Sequence, residues 1–181
     1  MLTATYSLIT ISAEQKNVRT ILSRLREYID SCLKSLEEPD LGKIESALNK
    51  LSQFDRYCHA RKVEMYLIPS VRGMAHEIDA LLAELESMSA RAIEMLKSAQ
   101  EKLRQAFEQG LDKIGELFRA MQNYCDNLLK RFAREEEELL PLLEQRLPGD
   151  QWFSIAAQFL SDDDGEHKRM HVPPPRLPAA P

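Results

Sequence analysis

Apolar residues recur every three or four positions along four long stretches of the chain. This spacing places them on one face of an α-helix. The apolar positions of the first stretch are Ile11, Val18, Ile21, Leu22, Leu25, Ile29, Leu33 and Leu36. Those of the second are Ile44, Leu48, Leu51, Phe54, Cys58 and Met65. The segment EEPDLG (37–42) predicts the turn between them, and we expect the second helix to stop before Pro69, because proline interrupts helical hydrogen bonding.

The third stretch begins near Arg72, and the fourth continues to Leu143. The turn between them is the least defined, and any position from about 97 to 110 is compatible with the pattern. No run alternates between apolar and polar residues as a half-buried strand would. The pattern therefore predicts an all-α fold, an antiparallel up-down four-helix bundle.

A shorter apolar segment, QWFSIAAQFL (151–160), follows Pro148 and predicts a short C-terminal helix across one end of the bundle. From Ser161 onward the chain is acidic and then proline-rich, a composition typical of disorder. The predicted domains are thus a bundle over residues 1–160 and a disordered tail over 161–181. PPPRLP (173–178) could also serve as a polyproline ligand, although a plain disordered terminus is the simpler interpretation.

Composition narrows the classes of function. The 181 residues carry a net charge of −5 without a basic stripe, which argues against a nucleic-acid partner. No segment has the apolar length of a membrane span, and the N-terminus lacks the features of a secretory signal. Cys32, Cys58 and Cys125 lie far apart and form no CxxC pair, so we expect reduced thiols in a cytoplasmic protein.

Several polar residues occupy positions where the helices should face the core. Gln15 lies four residues after Ile11, and Arg131 and Glu135 interrupt the stripe of the fourth helix. Unpaired charges there would be unfavourable. His59 and Val63 lie four apart beside a core position, and His76 lies on the edge of the third stripe. Two residues on adjacent antiparallel helices lie at the same height in the bundle when they are the same number of residues away from the turn that joins the helices. With a third turn near residues 104–105, one polar layer would contain Gln15, the His59/Val63 pair, His76 and the Arg131/Glu135 pair.

This layer has a simpler interpretation. Gln15 could be a buried amide, the histidines could lie at the surface, and Glu135 could pair with Arg131 one turn earlier. The run EEEE (135–138) could be a solvated face with one member turned inward. On periodicity alone this interpretation is favoured over a metal site, and a bundle unrelated to any metal protein also stays open.

Two stretches, each with a proline after a pair of apolar residues, resemble a known family. RFAREEEELLPLLEQRL (131–147) resembles the fourth-helix signature of the hemerythrin-like, or HHE cation-binding, family. CHARKVEMYLIPSV (58–71) resembles its second-helix copy. The family's copies read H-x-x-x-E before apolar residues and proline. The likeness covers about residues 11–147, and it implies a hemerythrin-like bundle.

In family members with six protein ligands, four histidines and two bridging carboxylates hold two non-haem irons. The resemblance implies that three of these positions are kept here, namely His59, His76 and Glu135. It implies that the other three are lost, at Gln15, Val63 and Arg131. Valine cannot bridge metals, and an arginine side chain stays cationic and does not coordinate.

The resemblance with these losses predicts a non-enzymatic module that has lost its di-iron centre, with no cofactor, acting as a homodimer or on a protein partner. The alternative is one iron or zinc ion held by His59, His76 and Glu135, a two-histidine, one-carboxylate set that would handle oxygen, nitric oxide or iron.

Overall fold

The computed structural model describes residues 2–34, 40–110 and 114–165. Its α-helices are α1 (Leu2–Lys34), α2 (Leu41–His59), α3 (Ile68–Val71), α4 (His76–Gln109), α5 (Ile114–Arg134), α6 (Leu140–Arg146) and α7 (Gly149–Gly165). Two π-helical turns, Val63–Leu67 and Glu135–Leu139, precede α3 and α6. Within these described ranges there is no β-strand, which confirms the predicted all-α class.

The long helices form a ring of antiparallel neighbours. Helix α1 packs against α2 and α5, and α4 packs against the same two helices from the other side. The chain directions of neighbouring helices are opposite, because residues later in the first helix contact residues earlier in the second. Glu14 is hydrogen-bonded to Lys62, for example, and Asn17 to Tyr57. The antiparallel up-down helical bundle predicted from the sequence is therefore present.

Local chemistry defines the helix ends. Asp40 begins α2, because its Oδ1 accepts hydrogen bonds from the backbone N–H groups of Gly42 and Lys43 at 3.0 and 3.2 Å. Helix α4 ends at Gln109, followed by Gly110 with φ 98°, a backbone conformation that glycine adopts without steric penalty. The third turn therefore lies at the far end of the window compatible with the sequence, and residues 111–113 lie outside the description.

Pro69 and Pro141 each follow a widened, π-helical turn. The N–H of Ile68 bonds to the carbonyl of Val63, and that of Leu140 bonds to Glu135, five residues back in each case. In an α-helix the ring of proline would clash with the carbonyl four residues earlier, and the π-turn relieves this clash. Helical structure consequently continues through Pro69 to Val71, and the prediction that it stops before this proline is wrong.

Helix α7 confirms the predicted C-terminal helix and extends it. Trp152, Ile155 and Phe159 are buried where α7 packs on α1 and on the first π-turn. Helix α7 continues to Gly165, so residues 161–165, which the composition suggested were disordered, are helical. Residues 166–181, including PPPRLP, lie outside the description. In the described part of the chain, no helix is both long and apolar enough to cross a membrane.

The hydrophobic core is divided into two clusters. One contains Val18, Phe54 and Phe132, and the other contains Ile11 and Leu139 among others. On α1, on the segment after α2 and on the segment that follows α5, the boundary between the clusters is occupied by buried polar side chains. This boundary is the polar layer that holds the candidate site.

Candidate functional site

The polar layer consists of Gln15, Arg61, Arg131 and Glu135. Their exposed fractions are 1, 1, 3 and 0%, so all four are withdrawn from water in the middle of the bundle. The inward direction predicted for Gln15, Arg131 and Glu135 is thereby confirmed. Arg61 was not among the predicted site residues.

A break in the second long helix places Arg61 in this layer. Helix α2 ends at His59, and the chain makes a turn at Ala60 and Arg61 before helical structure resumes. Oε1 of Glu14 accepts a hydrogen bond from the backbone N–H of Lys62 at 3.0 Å and so caps the resumed helix. The break turns the Arg61 side chain inward.

Every N–H of the Arg61 guanidinium donates a hydrogen bond. Nε donates to the Cys58 carbonyl at 3.2 Å and Nη1 to Gln15 Oε1 at 3.1 Å. Glu135 accepts from Nη1 at 3.1 Å and from Nη2 at 3.0 Å, one bond to each carboxylate oxygen. Nη2 also donates to Glu64 Oε1 at 3.3 Å. Five donors with five acceptors leave no part of this cation unsatisfied.

Arg131 approaches the same carboxylate from the neighbouring turn of its own helix. Nη1 donates to Glu135, as the simpler interpretation of the sequence expected. Nη2 donates to Glu64 Oε1 at 2.5 Å, and Nε donates to the Leu85 carbonyl at 3.2 Å. Gln15 donates to the second oxygen of Glu135. Glu135 is therefore bound by three side chains from three segments of the chain.

The electrostatics of the layer follow from these contacts. Burial alone would raise the pKa of Glu135, but the guanidinium groups of Arg61 and Arg131 hold it below its usual value. Burial disfavours the charged form of Arg61, and the adjacent Glu135 nevertheless holds the pKa of Arg61 above its usual value. Both partners are thus charged at neutral pH.

The two predicted histidine ligands lie outside the layer. His59 is the last residue of α2, with 54% of its side chain exposed, and its Nε2 lies 3.6 Å from Asp55 Oδ2. The neighbouring carboxylate of Asp55 raises the pKa of His59, although burial opposes this. His76 is the first residue of α4 and is exposed. The structure therefore does not bring His59, His76 and Glu135 together, and the expectation that they share a layer is wrong.

The position of the third turn explains the error at His76. Because α4 reaches Gln109, the residue of α4 level with Arg131 is Leu85, whose carbonyl Arg131 contacts. His76 lies nine residues earlier, about 13 Å along the helix at 1.5 Å per residue. His59 is still part of α2 and directly follows the buried Cys58, and adjacent residues of a helix point in different directions, so the histidine lies at the surface. The break after it brings Arg61 into the layer instead. Among the residues that the structure describes, no group of three or more His, Cys, Asp or Glu side chains is arranged to hold a metal ion.

One sequence signal pointed to Arg61. It lies three residues after the core residue Cys58, which continues the apolar spacing of α2. Met65, which was assigned to that stripe, is instead 54% exposed because the break changes the phase of the helix. Val63, one of the positions implied to be lost, is fully buried at the start of the first π-turn, as Glu135 is at the start of the second. Each lies six residues before a proline, so the two copies of the repeat are structurally equivalent.

Little space is left beside the layer. A cavity of about 10 Å³ lies against Arg131 and is also lined by Asp55, Cys58, His59 and Glu64. This volume is at the lower limit for one water molecule. The interior is therefore filled by the chain's own polar side chains.

The chain matches the family model of the hemerythrin HHE cation binding domain over residues 8–143, about three quarters of its length. The chain belongs to the hemerythrin HHE family. No curated protein and no solved structure matches it. The family match ends before α7, so this helix is an addition to the matched region.

A di-iron centre of the HHE type does not fit this layer. Two guanidinium cations bind the only carboxylate kept at a ligand position, and they would repel a metal cation placed beside it. Val63 offers no ligand atom, and Gln15 already uses its amide oxygen as the acceptor for Arg61. The donor set of this layer therefore does not fit a di-iron centre.

Proposed function

We propose that this HHE-family domain is a non-catalytic binding or regulatory module, in which an arginine–carboxylate network replaces the metal centre. The observation that carries the proposal is that Arg61 and Arg131 both donate to the buried carboxylate of Glu135. An arginine side chain has only hydrogen-bond donors and stays positively charged. It therefore cannot ligate a metal ion, and its charge neutralises that of Glu135.

The network has a structural role in this proposal. It joins α1, the segment after α2 and the segment after α5 through directional bonds that only one alignment of the helices satisfies. We propose that the network fixes the register of these segments, a role that buried polar groups have in some helical assemblies. A bundle fixed in this way presents a constant surface without a cofactor. We propose that this surface binds a protein, either a second copy of the chain or a different partner, and the acidic net charge disfavours nucleic acid.

Metal analysis tests the proposal. The protein would be produced in iron-supplemented medium, and iron and zinc per chain would be measured together with the visible absorption spectrum. We expect far less than one metal ion per chain and no absorption of an oxo-bridged iron pair. Dialysis against EDTA should leave the melting temperature unchanged, because no ligand of the fold is removed.

Two results would overturn the proposal. Two irons per chain with an oxo-bridge absorption would show a working di-iron centre. About one metal per chain, lost in His59→Ala or His76→Ala but kept in Cys32→Ala, would support the mononuclear alternative. Size-exclusion chromatography with light scattering on the same samples would distinguish a second copy from a different partner.

A further inference from the structure

The surroundings of the Arg61 guanidinium have the form of a ligand-binding site. Gln15, Glu64 and Glu135 provide side-chain oxygens, and the Cys58 carbonyl provides a fourth acceptor group. The guanidinium carbon Cζ lies 4.7 Å from the ring centroid of Phe132, within the range of a cation–π contact. Hydrogen-bond acceptors and an aromatic ring together are the contacts that a planar guanidinium uses.

Much of this site does not depend on the Arg61 side chain for its position. Glu135 is also held by Arg131 and Gln15, and Phe132 packs at 6.4 Å, edge-on, against Phe54. Removal of the guanidinium would leave these groups in place around an unfilled volume with an uncompensated negative charge.

We propose that the bundle interior contains a guanidinium-binding site whose resident ligand is the Arg61 side chain, and that the site takes free guanidinium-class cations when this side chain is truncated. The acceptors favour this class over others. An alkylammonium ion such as methylammonium has three N–H donors in a tetrahedral arrangement and cannot reproduce five bonds directed by a planar group. A divalent metal would lie beside the Arg131 guanidinium, which stays in the site and opposes it.

This inference shares the polar layer with the proposed function but does not require a partner for the module. The two fail in different measurements. The proposed function fails if the unmodified protein carries metal, whereas this inference fails if the truncated variant does not respond to guanidinium.

The test is chemical rescue of Arg61→Ala by methylguanidinium at millimolar concentration, where general denaturation is small because it scales with molar concentration. A ligand at ten times its Kd should raise the melting temperature by about 3–6 °C for a chain of this size. If Arg61→Ala is unfolded without ligand, the same titration should restore the helical circular dichroism signal. NMR of ¹³C-labelled methylguanidinium should show a bound resonance.

Matched variants identify the site. Arg61→Met also removes the charge but fills the volume, so methylguanidinium should not stabilise it. Arg72→Ala removes an arginine that is exposed and paired with Glu86, and it should behave like the unmodified protein. The inference is overturned if Arg61→Ala responds no more than Arg61→Met, or remains unfolded throughout the titration. Stabilisation by methylammonium or Mn²⁺ as strong as that by methylguanidinium would overturn it equally.

Discussion

Arg61 and Glu135 form a two-bond ion pair in the bundle interior, with Nη2–Oε1 and Nη1–Oε2 distances of 3.0 and 3.1 Å. Both side chains are fully buried. The parallel bonds match the planar fork of arginine to the carboxylate, the geometry in which such pairs are strongest. Removing either partner leaves a charge in a region that water does not reach.

The first prediction concerns the two arginines. Arg61→Ala and Arg131→Ala should each lower the free energy of unfolding by about 3–5 kcal/mol, the range for stranding a buried charge. Urea denaturation followed by circular dichroism would measure the change. The control Arg72→Ala removes an exposed pair and should change stability by less than about 1 kcal/mol. A loss below about 0.5 kcal/mol for Arg131→Ala would show that its side chain is hydrated.

The second prediction concerns the loss of stability at low pH that is due to Glu135. Arg61 and Arg131 hold the folded-state pKa of Glu135 below its usual value despite burial, so the unfolded state binds the proton first as pH falls. The stability that this carboxylate contributes is present above the unfolded-state pKa of 4.5 and is lost as pH falls toward the folded-state value. Urea denaturation at several pH values should show a weaker acid dependence for Glu135→Gln than for the unmodified protein. Parallel profiles for the two proteins would contradict the assignment.

The third prediction concerns Glu14, whose ionisation lowers the stability of the fold, whereas that of Glu135 raises it. Burial raises the pKa of Glu14, and its Oε2 has no hydrogen-bond partner among the described residues. The folded state therefore binds the proton more tightly, and stability falls as pH rises from 4.5 through the raised value. Glu14→Gln keeps an acceptor for the Lys62 N–H without the buried charge. We expect this variant to be more stable than the unmodified protein at pH 7, and the difference to vanish in acid.

Two phenylalanines of α7 test whether this added helix is part of the folded unit. Phe159 is fully buried, and its ring centroid lies 6.0 Å from that of Tyr66, whereas Phe153 is 64% exposed. Phe159→Ala should lower the free energy of unfolding by about 3–5 kcal/mol, the usual cost of a large core truncation. Phe153→Ala should stay within about 0.5 kcal/mol of the unmodified protein. Equal effects of the two variants would show that α7 is not docked as described.

The sequence by itself determined the architecture. Helical periodicity identified the bundle and the C-terminal helix, because a face of apolar residues must be buried whatever the details of its partner. The same pattern showed Gln15, Arg131 and Glu135 as polar residues on apolar faces, and all three are buried. The repeat that ends in proline was also readable, and its two copies adopt the same π-turn.

Only the tertiary structure decided the composition of the site. Helix α4 is a few residues longer than predicted. It therefore faces α5 with Leu85 level with Arg131, and His76 lies at the far end of the helix. At the break, the backbone N–H of Lys62 is capped by Glu14, which lies 48 residues away in sequence. Periodicity describes one helix at a time, so it could not show this contact between distant residues or the break that turns Arg61 inward.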